Sequence, residues 1–192
     1  MMKITDYRIV LASNSPRRKE LLAGIDIAYE VRTLPDVDET FPEMLPHEEV
    51  AEFLARKKAD SYLAALKEDE ILITADTIVL LNGDILGKPT DKEDAAHMLH
   101  RLAGNRHRVI TGVCLSTHKK QEYFSDVAYV TFGNLSDEEI AYYVSQYDPL
   151  DKAGAYGVQE WIGYVAVEKI EGSYFNVMGL PIHKVYRALK QF

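Results

Sequence analysis

Apolar and polar positions along this chain switch repeatedly between a strand-like and a helix-like period. The apolar run RIVLA at 8–12 predicts a short buried strand. Ser15 and Pro16 then supply an N-cap and a first helical position, and the helix they open stops at Gly24. The segment from Ile27 alternates and predicts a second strand, and residues 33–46, with three prolines and an acidic cluster, predict a loop. Val50, Phe53, Leu54, Tyr62 and Leu66 form one helical stripe. ILITADTIVLL at 71–81 is β-rich and apolar enough for a buried central strand, ended by the hairpin-grade turn Asn82–Gly83.

Thr90 and Glu93 fit a capping box, opening a helix with Ala95, Met98, Leu99 and Leu102 inward and an end near Gly104. The runs 109–116 and 123–132, joined by the polar THKKQ, predict a long hairpin. Ser136 and Glu139 form a second box, followed by the stripe Ile140, Tyr143, Val144 and Tyr147. A strand is expected over 164–170 and a last helix from near Pro181, with Ile182, Val185, Tyr186 and Leu189 inward. Alternating strands and helices interrupted by a hairpin predict an α/β fold with a mixed sheet.

The chain has 192 residues, 47% of them hydrophobic, which suffices for a real core in one domain, 1–192, or two tightly fused lobes. Its net charge of −8 disfavours a polyanionic partner, so no nucleic acid is expected and any nucleotide site must be a local basic patch. Cys114 is the single cysteine; it cannot form an internal disulfide and reads as a small buried hydrophobe. The N-terminus lacks a signal-peptide h-region, and no apolar run approaches the ~20 residues that span a bilayer. A soluble, cytoplasmic protein with no membrane partner is expected.

Five segments could carry chemistry. Ser13, Ser15, Arg17 and Arg18 lie where a strand gives way to a helix; free N–H groups, hydroxyls and guanidiniums there suit a phosphate, although a capped helix with two solvated arginines has the same pattern. Asp76, beside Thr77, is a carboxylate inside an apolar strand, which costs energy unless it is paired or functional; a general base, a metal ligand and an Asp satisfied by backbone all fit. Lys88 in Gly87-Lys88-Pro89 could reach a phosphate or simply be solvated. The acidic loop Asp36-Val37-Asp38-Glu39 offers the hard oxygens that Mg²⁺ or Mn²⁺ prefers, or is a solvated loop. In Asp151-Lys152-Ala153-Gly154-Ala155-Tyr156-Gly157-Val158-Gln159 the glycines allow close backbone approach, and Gln159 carries a donor and an acceptor suited to a pyrimidine edge. His47, His97, His100, His107, His118 and His183 show no metal spacing and read as surface or supporting residues. GxGxxG, P-loop and GxSxG patterns are absent.

Together these segments resemble the Maf family of nucleotide pyrophosphatases. The matching pieces are LASNSPRRKELL (11–22), VDET (37–40), ADTIV (75–79), GKP (87–89), HRVITGV (107–113), DKAGAYGVQ (151–159) and GSYFNVMGLP (172–181), in order over nearly the whole chain. The resemblance implies a Maf/ITPase-like α/β fold: a mixed, twisted central sheet flanked by helices, with two lobes around a cleft. It implies hydrolysis of a nucleoside triphosphate to monophosphate and pyrophosphate, aided by Mg or Mn. By position, Asp76 would be the proton acceptor. Ser13, Arg17, Arg18, Lys58 and Lys88 would bind substrate and phosphate, Glu39 and Asp76 the metal. Arg17, Thr77 and Gln159 would set substrate choice.

DKAGAYGVQ looks like the branch acting on dTTP and UTP, with modified pyrimidine nucleotides within its range. The alternatives are a 7-methyl-GTP pyrophosphatase and a regulatory binding protein of septum formation. Glu160-Trp161 departs from the small residue usual after Gln159. A homodimer is compatible with the resemblance, though no sequence feature demonstrates one.

Overall fold

The computed structural model describes residues 4–35 and 37–192. The strands are β1 (Arg8–Leu11), β2 (Tyr29–Val31), β3 (Glu70–Leu81), β4 (Asp84–Leu86), β5 (Arg106–Ser116), β6 (Gln121–Phe132) and β7 (Val167–Glu171). The helices are α1 (Pro16–Ala23), α2 (Val50–Tyr62), α3 (Lys92–Leu102), α4 (Asp137–Tyr147), α5 (Trp161–Ala166), α6 (Tyr174–Met178) and α7 (Ile182–Leu189). The strands follow the order β2-β1-β3-β5-β6-β7, with β4 on β3. β1 pairs in parallel with β2 and β3, whereas β3–β4 and β6–β7 are antiparallel, so the sheet is mixed as expected.

The chain divides into two compact units. The first comprises Met1–Asp76, Thr111–Asp126 and Gly179–Phe192; the second comprises Thr77–Ile110 and Val127–Met178. Strands β3, β5 and β6 contribute residues to both. In the first unit α2 lies on the sheet. Ala55, Ala59 and Tyr62 pack with Val10 of β1, Leu72 of β3 and Cys114 of β5, which is buried as expected of a lone hydrophobic cysteine. Thr74 is a buried polar exception within β3, and its hydroxyl donates to the Ala55 carbonyl at 2.6 Å. Gly112 of β5 runs so close to α2 that a Cβ there would lie 2.3 Å from the Ala51 carbonyl and the Glu52 nitrogen. Only glycine permits that approach.

In the second unit the stripe Ala95, Met98, Leu99 and Leu102 is buried, as are Ile140, Tyr143 and Val144 of α4. Asn82 and Gly83 adopt φ of 52° and 94° and close the β3–β4 hairpin, as their chemistry predicts. The Ser136–Glu139 capping box forms.

Two expectations need correction. The cap of α3 is Asp91, not Thr90: Asp91 accepts from the Asp94 nitrogen at 2.8 Å, and Asp94 accepts from the Thr90 nitrogen at 2.9 Å. The cap falls one residue later because Asp caps at least as well as Thr. The strand expected over 164–170 begins only at Val167, since 161–166 close as α5. The short helix α6 was not among the expected elements, having too few residues to show a period. Of the surface and supporting places expected for the histidines, His107 takes the supporting one: it is buried, its Nε2 meets the Tyr156 hydroxyl at 2.8 Å, and its ring packs edge-on against Phe132. Burial pushes its pKa down to about 4. Among the described residues, no helix is long and apolar enough to cross a membrane.

Candidate functional site

In the first unit the chain leaves β1 and turns into α1 through Ser13-Asn14-Ser15. The Ser13 hydroxyl accepts from the Ser15 nitrogen at 3.2 Å, and Ser15 caps the helix through the Arg18 nitrogen. Pro16 at the first position fixes φ where no intrahelical donor is needed. This geometry directs Arg18 inward. Its Nε donates to the Gly179 carbonyl and a terminal nitrogen to the Ala75 carbonyl, each at 2.8 Å. Arg18 thus ties α1 to the residue before Asp76. Burial pulls its pKa below the ordinary guanidinium value, and the nearby charge of Asp76 opposes that pull. Arg17 is close enough for its own charge to act on Arg18.

Asp76 ends the first unit's stretch of β3, with 15% of its side chain exposed. Its Oδ1 takes the Lys58 ammonium of α2 at 2.5 Å, and the same ammonium meets Glu39 Oε1 at 2.8 Å. Lys58 is itself only 13% exposed, so its pair with Asp76 is largely removed from water, whereas Glu39 reaches it from the solvent side with 49% of its side chain exposed. The preceding residue, Lys57, fastens the loop that delivers Glu39: its Nζ donates to Asp38 Oδ2 at 2.6 Å and to the Thr40 carbonyl at 2.7 Å. Hydrogen bonding to Lys57 and Thr40 holds the Asp38 carboxyl down at about 2. The acidic loop therefore splits in role, Asp38 anchoring it and Glu39 entering the triad. Asp36 lies outside the described residues.

Two carboxylates around one cation are a hard-oxygen donor pair. That suits an Mg²⁺ or Mn²⁺ ion, which typically takes one or two protein carboxylates and completes its shell with water and substrate phosphate. Among the described residues, no group of three or more His, Cys, Asp and Glu side chains forms a fully protein-made metal site.

The second unit carries the other predicted residues. Thr77 follows Asp76 along β3 and is half-buried; Lys88 is exposed just beyond β4. The loop 151–159 is held against both segments. The Gly154 nitrogen donates to the Gly87 carbonyl at 3.0 Å, and a Cβ on Gly154 would lie 2.9 Å from a Val79 methyl. Gly154 also has φ of 69°, so the position demands glycine on both counts. Gln159 is half-buried, and its buried Oε1 takes no hydrogen bond from any described residue. An orphaned buried acceptor costs about 1–3 kcal/mol, which a ligand donor would recover.

The structure thus gathers Ser13, Arg18, Glu39, Lys58 and Asp76 in the first unit, and links the Lys88 and Gln159 segments in the second. Sequence reasoning missed the bracing of the Gln159 loop by Tyr143 of α4 and by the Lys152 ammonium. The Tyr143 hydroxyl accepts from the Gly157 nitrogen at 3.0 Å and donates to Glu160, and Lys152 reaches Glu160 at 3.3 Å. Tyr143 was legible only as one member of a helical stripe, since nothing in a local pattern says what its hydroxyl meets.

Comparison with known proteins agrees with this arrangement of motifs. Residues 8–192 match the family described as Maf-like protein. A Bacteroides fragilis protein named dTTP/UTP pyrophosphatase is 60% identical over 185 residues, covering 96% of each chain. Proteins of the same name from Porphyromonas gingivalis and Flavobacterium johnsoniae are 53% and 50% identical; each alignment covers 97% of this chain, and 94% and 96% of the relative. With the family pattern running from β1 to the last residue, the chain belongs to the Maf-like family.

Proposed function

We propose that this protein hydrolyses dTTP and UTP, breaking the bond between the α and β phosphates to give the nucleoside monophosphate and pyrophosphate in the cytoplasm. The observation that carries the reading is the triad of Asp76, Lys58 and Glu39, set beside an Arg18 whose guanidinium is fixed by two backbone carbonyls. The printed names of relatives 50–60% identical over nearly the whole chain support the same substrate pair.

In this reading Asp76 accepts the proton of the attacking water, and Lys58 holds its carboxylate in one orientation. Ser13, Arg17, Arg18, Lys58 and Lys88 bind the phosphates, whose charge needs a preorganised set of donors. Glu39 and Asp76 would hold Mg²⁺ or Mn²⁺, which when bound neutralises charge developing on the phosphates. Arg17, Thr77 and Gln159 set substrate choice. The unpartnered Oε1 of Gln159 suits the N3–H donor shared by thymine and uracil, which cytosine lacks.

Pyrophosphate release from dTTP, UTP, CTP, GTP and 7-methyl-GTP, measured with Mg²⁺ and then Mn²⁺, tests the proposal. Selective release from dTTP and UTP is expected. Preference for 7-methyl-GTP would keep the reaction and reject the substrate, and no release by folded protein would reject both.

A further inference from the structure

The departure at Glu160 has a structural consequence. Its side chain does not extend into solvent but folds back over Gly157: a Cβ on that glycine would lie 2.7 Å from Glu160 Cδ and 2.9 Å from Oε2. On the same side, 3.1 Å from the same point, lies the Nε2 of Gln159. The carboxylate and the amide thus share the space that Gly157 leaves open. Oε2 is gripped by the hydroxyl of Tyr143, which is fully buried in α4 and also accepts from the Gly157 nitrogen. Oε1 is gripped by Lys152, whose side chain is 7% exposed and also donates to Asp151 at 2.8 Å and to the Asp148 carbonyl at 3.2 Å. The carboxylate is therefore held from both ends by groups that are themselves buried.

A fixed negative charge beside a carboxamide favours the amide's NH₂ end on its own side and disfavours its oxygen there. That is the orientation found, with Nε2 toward Gly157 and Glu160 and Oε1 left as an orphaned acceptor. If the amide turned over, an NH₂ group would replace the acceptor, and the complementary base would change from one with a donor at N3 to one with an acceptor there.

We propose that Glu160, clamped by Tyr143 and Lys152, is a positioning residue that locks the Gln159 carboxamide in the orientation selective for uracil and thymine over cytosine. The inference rests on the pyrophosphatase reading above and adds to it the device that enforces base choice.

The test is steady-state pyrophosphate release from UTP, dTTP and CTP by the full-length wild type, E160Q, E160D and Y143F, with thermal unfolding recorded for each. E160Q keeps the shape and removes the charge. It should lower the ratio of kcat/KM for UTP to that for CTP about tenfold. The change should fall on KM rather than kcat, because the phosphates and Asp76 are untouched. E160D restores the charge and should recover part of the ratio. Y143F loosens one end of the clamp and should lower the ratio less, which keeps the test informative should E160Q not fold. A uniform fall for all three substrates, tracking a lower Tm with the ratio unmoved, would mean Glu160 only holds the loop together and would overturn the inference. Wild-type selectivity that survives in E160Q sinks the inference alone, whereas a wild type that hydrolyses none of the three sinks the functional reading and this inference with it.

Discussion

Gly112→Ala offers a sharp test of how β5 and α2 are packed. The added methyl would sit 2.3 Å from the Ala51 carbonyl carbon and oxygen and from the Glu52 nitrogen, whereas ordinary contact begins at 3.4 Å. The obstruction is helix backbone, so no rotamer change relieves it, and α2 must retreat by about 1 Å. Overpacking a filled core costs about 1–3 kcal/mol, and a backbone obstruction belongs at the upper end. For a chain of this length, about 3 kcal/mol lowers Tm by roughly 6–12 °C. The same helix carries Lys58 two turns further on, so its retreat also loosens the 2.5 Å contact with Asp76. Pyrophosphate release from UTP should fall about tenfold, as expected for an ångström-scale misplacement. Gly24→Ala is the matched control. Its Cβ would meet nothing closer than 3.5 Å, and its φ of −63° suits any L-residue. That change should raise stability by about 0.4–1 kcal/mol through the unfolded chain. Thermal unfolding of both variants decides the matter: Gly112→Ala melting with the wild type would refute the packing argument.

Other outcomes follow from the same geometry. Lys58→Met should cut kcat/KM for UTP by about 10²–10³-fold, since it strips the ammonium from two carboxylates; steady-state kinetics at saturating Mg²⁺ checks this. Asp76→Asn should lower kcat by about 10²–10⁴-fold with the fold intact by circular dichroism, and near-full activity would reject the base assignment. His107 is held neutral by burial, with a folded pKa of about 4 against 6.5 for the free side chain. Between those values the unfolded chain binds the extra proton, so stability falls as pH drops through that window; urea titrations should show a slope that His107→Gln flattens. Burial also pushes the Cys114 thiol up to about 11, so native protein at pH 8 should resist iodoacetamide while urea-unfolded protein reacts.

Much of the fold was legible because its signals are local. Ser15–Pro16, Asn82–Gly83 and the Ser136–Glu139 box each act within four residues, and the apolar run 71–81 is β-rich enough to declare a buried strand. At 164–170 the pattern is apolar in either state; the backbone of 161–166 closes as helix, with Gly163 so near the Val158 carbonyl that a Cβ would lie 1.8 Å away. A backbone contact of that kind leaves no periodic mark. His107 read equally as a surface or a supporting residue, and only the fold brings Tyr156 and Phe132, distant in sequence, around it.

Sequence by itself determined the family, most of the elements and their order, and the residue types available for phosphate and metal chemistry, because motifs and short-range propensities are written in consecutive residues. Tertiary structure alone decided how those residues are used. Lys57 and Lys58 are neighbours of one chemical type, yet one anchors the loop through Asp38 and the other joins Glu39 to Asp76. Arg18, open to reading as a solvated donor, is tied to two carbonyls, one from a residue 161 positions away. Glu160, a surface-type residue by composition, is half-buried and held between Tyr143 and Lys152. Charge and hydrogen-bonding capacity belong to a residue, but a partner is set by where the backbone brings distant segments together, and only the packed fold specifies that.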